Sequence, residues 1–309
     1  MAVLSNSARG AELWPKMVPA AMGGTHPAIA WNQSSAKIAD RPSACIEVLP
    51  GDLPLVFSLA HDGDLGLPGV LPRRNNSRDP HFSTRSARHT REIALKVALT
   101  VKTHVGKKPW LVINRLARRY VDMDRTPRTA FEHTRAAEVY NGYHRTLKAT
   151  IAQVKNLFGT GLLLNLYDQE IFPADICIGS LQSRSITGLK DKHTASVMDG
   201  EYSLGQQLAR AGYTLPSFTT RVDRGQGLIQ DLPAATPLSL DGGQVIERHG
   251  SHRPEGIDAL SLVFHERLCG PLKERTCLIE ALALAVAGFA KAYLPQQNAP
   301  NGNNSASFE

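Results

Sequence analysis

The chain has 309 residues, of which 42% are hydrophobic and 20% are charged, and its formal net charge is +7. This length and apolar content suffice to bury the core of one large domain or of two small ones. A mean hydropathy of −0.21 and the lack of a long apolar run argue against an integral membrane protein.

In chain order, the sequence predicts strands that alternate with helices. Short β-branched or leucine-rich segments bounded by Gly, Pro or Asp predict the strands, and apolar residues at spacings of three and four predict the helices. The elements are strands at 45–49 and 55–59, a helix at 89–104, a strand at 110–114, a helix at 131–157, strands at 162–166 and 176–178, a helix near 204–211, strands at 245–247 and 259–264, and a helix from about 273 to 294.

This alternation favours an α/β fold, specifically a three-layer α/β/α sandwich. We expect one domain over residues 43–295. A variable N-terminal extension (1–42) precedes it, and an Asn-, Pro- and Ser-rich tail (296–309) is predicted to be disordered. The less regular segment 184–241 is expected to form loops and a lid over the site.

The positive charge raises the question of nucleic acid. Basic residues are dispersed through 73–155 rather than concentrated in one tract with interleaved aromatic residues, and no nucleic-acid motif is present. A positive field suits an anionic small molecule equally well. The cysteines lack metal-type spacing, which is typical of reduced thiols in an intracellular protein. We therefore expect a cytoplasmic protein with a small-molecule substrate, and we do not expect a membrane or nucleic acid as its partner.

His61 directly follows the predicted strand at 55–59 and stands before Gly63. In α/β sheets, ligands bind beyond the carboxyl ends of the strands, so this imidazole is expected at a functional edge. Asp64 could share a metal ion with it, although a loop histidine that caps the strand has the same spacing. Polar residues in or after other predicted strands, at 115–125 and 165–168, favour the functional interpretation.

The segment 114–125 is rich in arginine. A guanidinium binds a carboxylate through two parallel hydrogen bonds, so Arg115, Arg118 and Arg125 are candidates for recognising an acidic substrate, and Asp122 could fix one of them. A solvated basic loop with local ion pairs is the alternative. On the helix at 131–157, Tyr140 and His144 could face the site or belong to the core.

Taken in order, these segments resemble the N-formylglutamate amidohydrolase family, which is related to the zinc carboxypeptidases. The resemblance covers roughly residues 45–295. It implies a carboxypeptidase-like sandwich with a mixed central sheet, and cleavage of N-formyl-L-glutamate to formate and glutamate. The segments that carry it are His61-Asp62-Gly63, Val112 to Arg125, Tyr143-His144 and Gly161 to Gln169.

The resemblance also implies roles for individual residues. His61 matches the first zinc-binding histidine, and Asp64 is a candidate for the acidic zinc ligand by analogy with the carboxypeptidases. Asp168 could act as a substitute ligand. Asp122 and Arg125 match the carboxylate-binding block of the family. Arg115 and Arg118 match its preceding basic positions.

Several positions depart from the family pattern. Tyr167 stands where the second zinc-binding histidine is expected, and Val263 stands where the general base Glu is expected. Asn165 stands where Asp is expected, and Asp124 where Asn is usual. Asp168 stands where Gly is expected. The changes at 165, 167 and 168 each need a single base transition, which fits a drifting copy as well as a refitted site.

With the base replaced, His265 or Glu266 would have to take the proton. His265 is the better candidate, because it should share a strand face with Val263. The first expectation is therefore a zinc-dependent hydrolase with reduced activity and weakly held or lost zinc. The alternative is an inactive pseudoenzyme of the same fold that binds an anionic small ligand.

Overall fold

The computed structural model describes residues 41–74, 82–170, 174–194, 196–215 and 242–295. The chain divides into two units, 1–35 and 36–309, and the first lies outside the described residues. So do the predicted tail at 296–309 and residues 216–241 of the predicted lid. These predictions stay predictions.

The described strands form one mixed sheet. They are β1 (Ile46–Leu49), β2 (Leu55–Leu59), β3 (Trp110–Asn114), β4 (Leu162–Gln169), β5 (Ile176–Gly179) and β6 (Asp258–His265). Their order across the sheet is β1-β3-β2-β4-β6-β5. The four central strands are parallel, and β1 and β5 run antiparallel to their neighbours at the two edges.

Helices cover both faces of the sheet. They are α1 (Thr90–Val105), α2 (Pro127–Ala130), α3 (Thr134–Phe158), α4 (Thr187–His193), α5 (Ser196–Asp199), α6 (Leu204–Arg210), α7 (Gly243–His249), α8 (Glu266–Cys269) and α9 (Leu272–Tyr293). By length and composition α9 could span a membrane, but half of that stretch is buried within the protein, where α9 packs against α1.

The strand period of two divides the core into two layers. Phe57 and Leu164 pack with α1 and α9 on one face of the sheet, whereas Val56 and Leu163 pack with α3 on the other. The predicted three-layer α/β/α sandwich with a mixed sheet is therefore confirmed.

One predicted strand is wrong. Residues 245–247 lie in α7, which begins at Gly243, a glycine with a φ of +66°. A side chain at Gly243 would clash with the carboxylate of Asp124, so glycine is required there. A short apolar run does not distinguish a buried strand from one buried turn of helix, and Val245 and Ile246 are both buried.

The segment after β2 continues along the sheet edge towards the loop after β3. Gly63 forms a parallel bridge with Ala117, and Leu65 forms one with Leu116. Gly63 lies so close to the backbone of Arg115 that a side chain would not fit. The glycine after His61 thus brings the β2 end and the loop at 115–125 together.

Two buried histidines, His144 and His249, lie on the core side of the loop at 115–125, and His144 contacts its backbone. The Nδ1 of His144 lies 3.0 Å from the Nε2 of His249, and the rings are stacked with 17° between their planes. The Nε2 of His144 lies 3.1 Å from the carbonyl oxygen of Met123, which can only accept, so this nitrogen carries the proton. Burial lowers the pKa of both imidazoles to about 3. His144 therefore has the core position that the sequence left open.

A buried row of polar side chains crosses the sheet to the same loop. The hydroxyl of Ser58 lies 2.6 Å from the Tyr143 hydroxyl and donates to Asn165 Oδ1 at 2.9 Å. Asn165 Nδ2 then donates to Asp124 Oδ2 at 3.3 Å, and the N–H of Val245 donates to Asp124 Oδ1 at 2.6 Å. Burial raises the pKa of Asp124 to about 7.

The contact between Asn165 and Asp124 allows a test in which the amide and the carboxyl group are exchanged. Asn165→Asp places two buried carboxylates in contact and should lower the free energy of unfolding by ~3 kcal/mol at about pH 8. The loss should be smaller at about pH 5, where the pair holds a proton. The double variant Asp124→Asn/Asn165→Asp restores one amide and one carboxylate and should recover more than half of the loss.

Urea unfolding of the wild type, both single variants and the double variant measures this coupling. Asp124→Asn alone keeps an oxygen that can accept the N–H of Val245, and it completes the cycle of single variants. A double variant as unstable as the sum of the single changes would show that the two side chains do not interact.

Candidate functional site

A buried carboxylate, Asp122, organises the edge of the sheet. Its Oδ1 accepts a hydrogen bond from His61 Nε2 at 2.8 Å, and its Oδ2 lies 2.9 Å from Arg118 Nε and 2.8 Å from Arg118 Nη2. Burial alone would raise the pKa of Asp122, but the charge of Arg118 and the bond from His61 outweigh it and hold the pKa well below its usual value. Asp122 is therefore ionised.

Two further arginines approach the same oxygen. Arg73 Nη2 lies 3.8 Å from Asp122 Oδ2, and Arg125 Nε lies 3.9 Å from it. Three positive charges thus face one negative charge. Asp124 adds a second negative charge only when it is ionised, so this group of side chains keeps a net positive charge in either state.

The three arginines differ in exposure. The side chain of Arg73 is 2% exposed, that of Arg118 is 10% exposed and that of Arg125 is 19% exposed. Arg73 Nη2 donates to the carbonyl oxygen of Arg118 at 2.9 Å and to that of Ser83 at 2.7 Å. Arg73 therefore links backbone segments, whereas the side chains of Arg118 and Arg125 are less completely buried.

Sequence reasoning missed Arg73. It stands in a segment with no strand or helix pattern, among basic residues that look dispersed along the chain. Its contact with Arg118 spans 45 residues, and no local spacing signals such a contact. The one hint in the sequence is that Arg73 lies a few residues beyond the segment that starts at His61, at the end of a predicted strand.

His61 has one occupied ring nitrogen and one that lacks a described partner. Because ionised Asp122 can only accept, His61 Nε2 carries the proton, and Nδ1 presents its lone pair. Nδ1 is buried and makes no hydrogen bond to any described residue. Burial and the charge of Arg118 lower the pKa of His61, so the imidazole is neutral.

Zinc binding would use such a nitrogen, since a metal-ligating histidine usually donates its other N–H to a carboxylate. Zinc also needs further ligands. Tyr167 packs its ring edge on His61, with centroids 5.3 Å apart, and burial raises its pKa well above 10, so the phenol keeps its proton. Asp64 is exposed to solvent.

Asp168, the other predicted acidic ligand, belongs to a different contact. Neighbouring strand residues point to opposite faces, so Asp168 points away from the face on which Tyr167 meets His61. Its Oδ2 lies 3.1 Å from Arg85 Nη1 and 3.2 Å from the backbone nitrogen of Arg88. Across the described ranges, no three His, Cys, Asp or Glu side chains group in a way that could hold a metal ion. These residues do not fit zinc.

The structure places the other predicted site residues outside the Asp122 group. Arg115 Nη1 pairs with Glu47 at 3.2 Å. His265 Nδ1 accepts from the N–H of Arg267 at 3.2 Å, so it caps the start of α8. Glu266 lies 3.6 Å from Arg85. Of the predicted residues, the structure brings together His61, Arg118, Asp122 and Arg125.

Four of the residues that differ from the expected pattern contact one another in two pairs. Tyr167 and Val263 are register partners on β4 and β6, and they pack with Cys177 in a small apolar cluster. Asp124 and Asn165 are hydrogen-bonded. The resemblance predicts an amide at 124 and an acid at 165, whereas this chain has Asp124 and Asn165. The contact therefore still joins one carboxyl group and one amide.

Comparisons with known proteins give the fold. No protein-family model matches the chain, and no curated protein matches its sequence. Among solved structures, the chain is similar to N-formylglutamate amidohydrolase from Ralstonia eutropha JMP134, with a TM-score of 0.55 and 16% identity over 80% of this chain and 98% of that one.

Two further structures are more distant. A gene product from Agrobacterium tumefaciens has a TM-score of 0.48 and 14% identity over 80% of this chain and 94% of that one. The N-acetylmuramyl-L-alanine amidase from Mycobacterium smegmatis has a TM-score of 0.34 and 12% identity, over 77% and 96%. Neither adds to the argument. The likeness to the Ralstonia eutropha structure shows that this chain has the same α/β fold.

Proposed function

We propose that this protein binds a small molecule through its carboxylate group, at the Asp122 site, without zinc-dependent hydrolysis. The observation that carries the proposal is the convergence of three guanidinium groups on one carboxylate oxygen, with Arg118 2.8 Å, Arg73 3.8 Å and Arg125 3.9 Å from Asp122 Oδ2. The site therefore has more positive charge than Asp122 neutralises.

The surplus charge lies where a ligand can reach it. Arg73 is almost fully buried and donates to backbone carbonyl oxygens, whereas Arg118 and Arg125 are the two arginines of the site that are partly exposed to solvent. They follow β3 at the carboxyl end of the parallel strands, where α/β folds bind ligands. A partly buried guanidinium gains more from a carboxylate than one in bulk water, because the local dielectric is lower.

The same geometry argues against metal-assisted hydrolysis. Cleaving an amide needs a group that activates water and a base that takes its proton. At the positions of the expected second histidine and general base, Tyr167 and Val263 form an apolar contact instead. Two nearby acids, Asp168 and Glu266, both pair with Arg85.

A second candidate function is hydrolysis of an N-acyl acidic amino acid. The observation that favours it is the pairing of His61 with Asp122, because a neutral imidazole held by a carboxylate is oriented as a general base is. In this alternative, Nδ1 of His61 takes the proton from water, and Arg125 with Arg118 binds the carboxylates of the substrate.

Binding is tested with glutarate, a plain dicarboxylate, by isothermal titration calorimetry. The wild type should bind it, and Arg125→Gln should weaken binding by about tenfold or more, because a charge-assisted contact is lost. Raising the salt concentration should weaken binding further. Arg128→Gln removes an exposed arginine in α2 and is the matched control. Equal affinities of the two variants, or no binding by the folded wild type, would contradict the proposal.

Hydrolysis is tested by formate release from N-formyl-L-glutamate, with added zinc and with a chelator. The wild type should retain substoichiometric zinc and release no formate. Tyr167→His combined with Val263→Glu should raise zinc content, because it returns a nitrogen ligand and an acid to adjacent strand positions. Turnover by the wild type that disappears in His61→Gln would replace the proposal with the second candidate.

A further inference from the structure

We propose that the outer edge of β1, the side that faces away from β3, is a dimer interface. A second copy of this chain would pair its own β1 with it in antiparallel orientation, about a two-fold axis perpendicular to the sheet. This pairing would join two six-stranded sheets into one. The inference is independent of the proposed ligand binding, because it concerns the lateral edge of the sheet and not the carboxyl ends of its strands.

The first observation is the direction of the backbone groups of β1. The N–H of Arg115 in the β3 loop donates to the carbonyl oxygen of Cys45 at 2.7 Å. Bonds between antiparallel strands recur at every second residue, so the backbone groups of Ile46 and Val48 point to the outer edge. The N–H of Ile46 bonds to Ser43. The N–H of Val48 and the carbonyl oxygen of Ile46 bond to no described residue.

The second observation is that the other edge strand is covered. On β5, the N–H of Ile176 donates to the carbonyl oxygen of Thr214 at 3.1 Å, so a following segment of chain shields that edge. Within the described ranges, no such segment bonds to the outer edge of β1. Its one charged residue, Glu47, does not protect the edge either, because it pairs with Arg91 and Arg115. An edge that has neither cover nor an outward charge is prone to pair with another strand.

The third observation is a groove beside this edge. It has a volume of about 550 Å³ and lies between β1 and α3, where Ile46 and Val48 line it. Val48 is 39% exposed, although it is an apolar residue in a strand. Gly142 lets α3 lie close to β1, since a side chain there would come within 2.9 Å of Ile46 Cδ1. Pairing of the edge would bury Val48 and fill this groove.

Charges along the groove favour a second copy over an unrelated strand. Glu138 and Arg145 of α3 both line it, and both are exposed. α3 connects β3 to the parallel strand β4, so it runs back along the sheet in the direction of β1. A two-fold axis reverses that direction and turns Glu138 towards the partner's Arg145, and Arg145 towards the partner's Glu138.

The same axis makes the backbone self-complementary. With Glu47 on the axis, the N–H of Val48 meets the carbonyl oxygen of the partner's Ile46, and the reciprocal bond forms as well. The two Glu47 side chains then meet on the face opposite the groove. Each of these carboxylates is already paired with two arginines, so they do not face each other as uncompensated charges.

Sedimentation equilibrium of the full chain tests the interface. The wild type should be mainly dimeric at about 100 µM, and Val48→Lys should raise the dimer Kd at least about tenfold, because it places a charge on the pairing edge. Val48→Pro removes the outward N–H and should have the same effect. Leu99→Lys changes another exposed apolar residue, in α1, and is the matched control that should leave the dimer intact.

Charge reversal tests the two-fold arrangement. Glu138→Arg and Arg145→Glu should each raise the dimer Kd by about fivefold or more, because like charges then meet across the axis. The double variant Glu138→Arg/Arg145→Glu restores both opposite-charge pairs and should return Kd to within about threefold of the wild-type value. Circular dichroism on every variant confirms that it is folded.

A wild-type monomer at this concentration would overturn the inference. If the Val48 amide of that monomer is protected from hydrogen exchange, another part of the same chain occupies the edge. A dimer that Val48→Lys leaves as stable as Leu99→Lys does would place the interface elsewhere and also overturn the inference. So would a double charge variant no more dimeric than the single variants, because the two copies would then not be related by this axis.

Discussion

The site depends on one buried, ionised carboxylate. Asp122 is 1% exposed, and a carboxylate removed from water is stable only when it is paired and hydrogen-bonded. It recruits His61 from the end of β2, Arg118 and Arg125 from its own loop, and Arg73 from a distant segment. Each of these segments is positioned by the need to satisfy the same two oxygens. The protonation state of His61 and the surplus positive charge both follow from this arrangement.

Residues that differ from the pattern expected from the resemblance are far apart along the chain but contact one another in the structure. Random drift would alter residues independently of their contacts, but Asp124 lies against Asn165, and Tyr167 lies against Val263. The first pair keeps a buried hydrogen bond, and the second replaces polar groups with an apolar contact. Both results are compatible with a stable core. His61 and Asp122 form a buried hydrogen bond of 2.8 Å beside them.

Much of the fold follows from local pattern. β2 and β3 have the bounds that their apolar runs predict, because β3 ends at the polar Asn114 and β2 ends two residues before His61. The bounds of α7 could not be predicted from local pattern, because its short buried apolar run resembles a strand. The turn that starts the helix depends on the close approach of Gly243 to Asp124, which the sequence does not show. For the site, sequence order predicts His61, Arg118, Asp122 and Arg125. It does not reveal Arg73, nor that Asp168 pairs with Arg85 on the face of β4 opposite to Tyr167.

The most direct test is the protonation state of His61, measured by long-range 15N–1H NMR on the protein before and after zinc is added. We expect an imidazole protonated on Nε2, with an unprotonated Nδ1 whose chemical shift zinc leaves unchanged. His61→Gln identifies the signal. A zinc-induced shift of Nδ1 accompanied by one bound zinc per chain would contradict the account, as would a ring protonated on Nδ1.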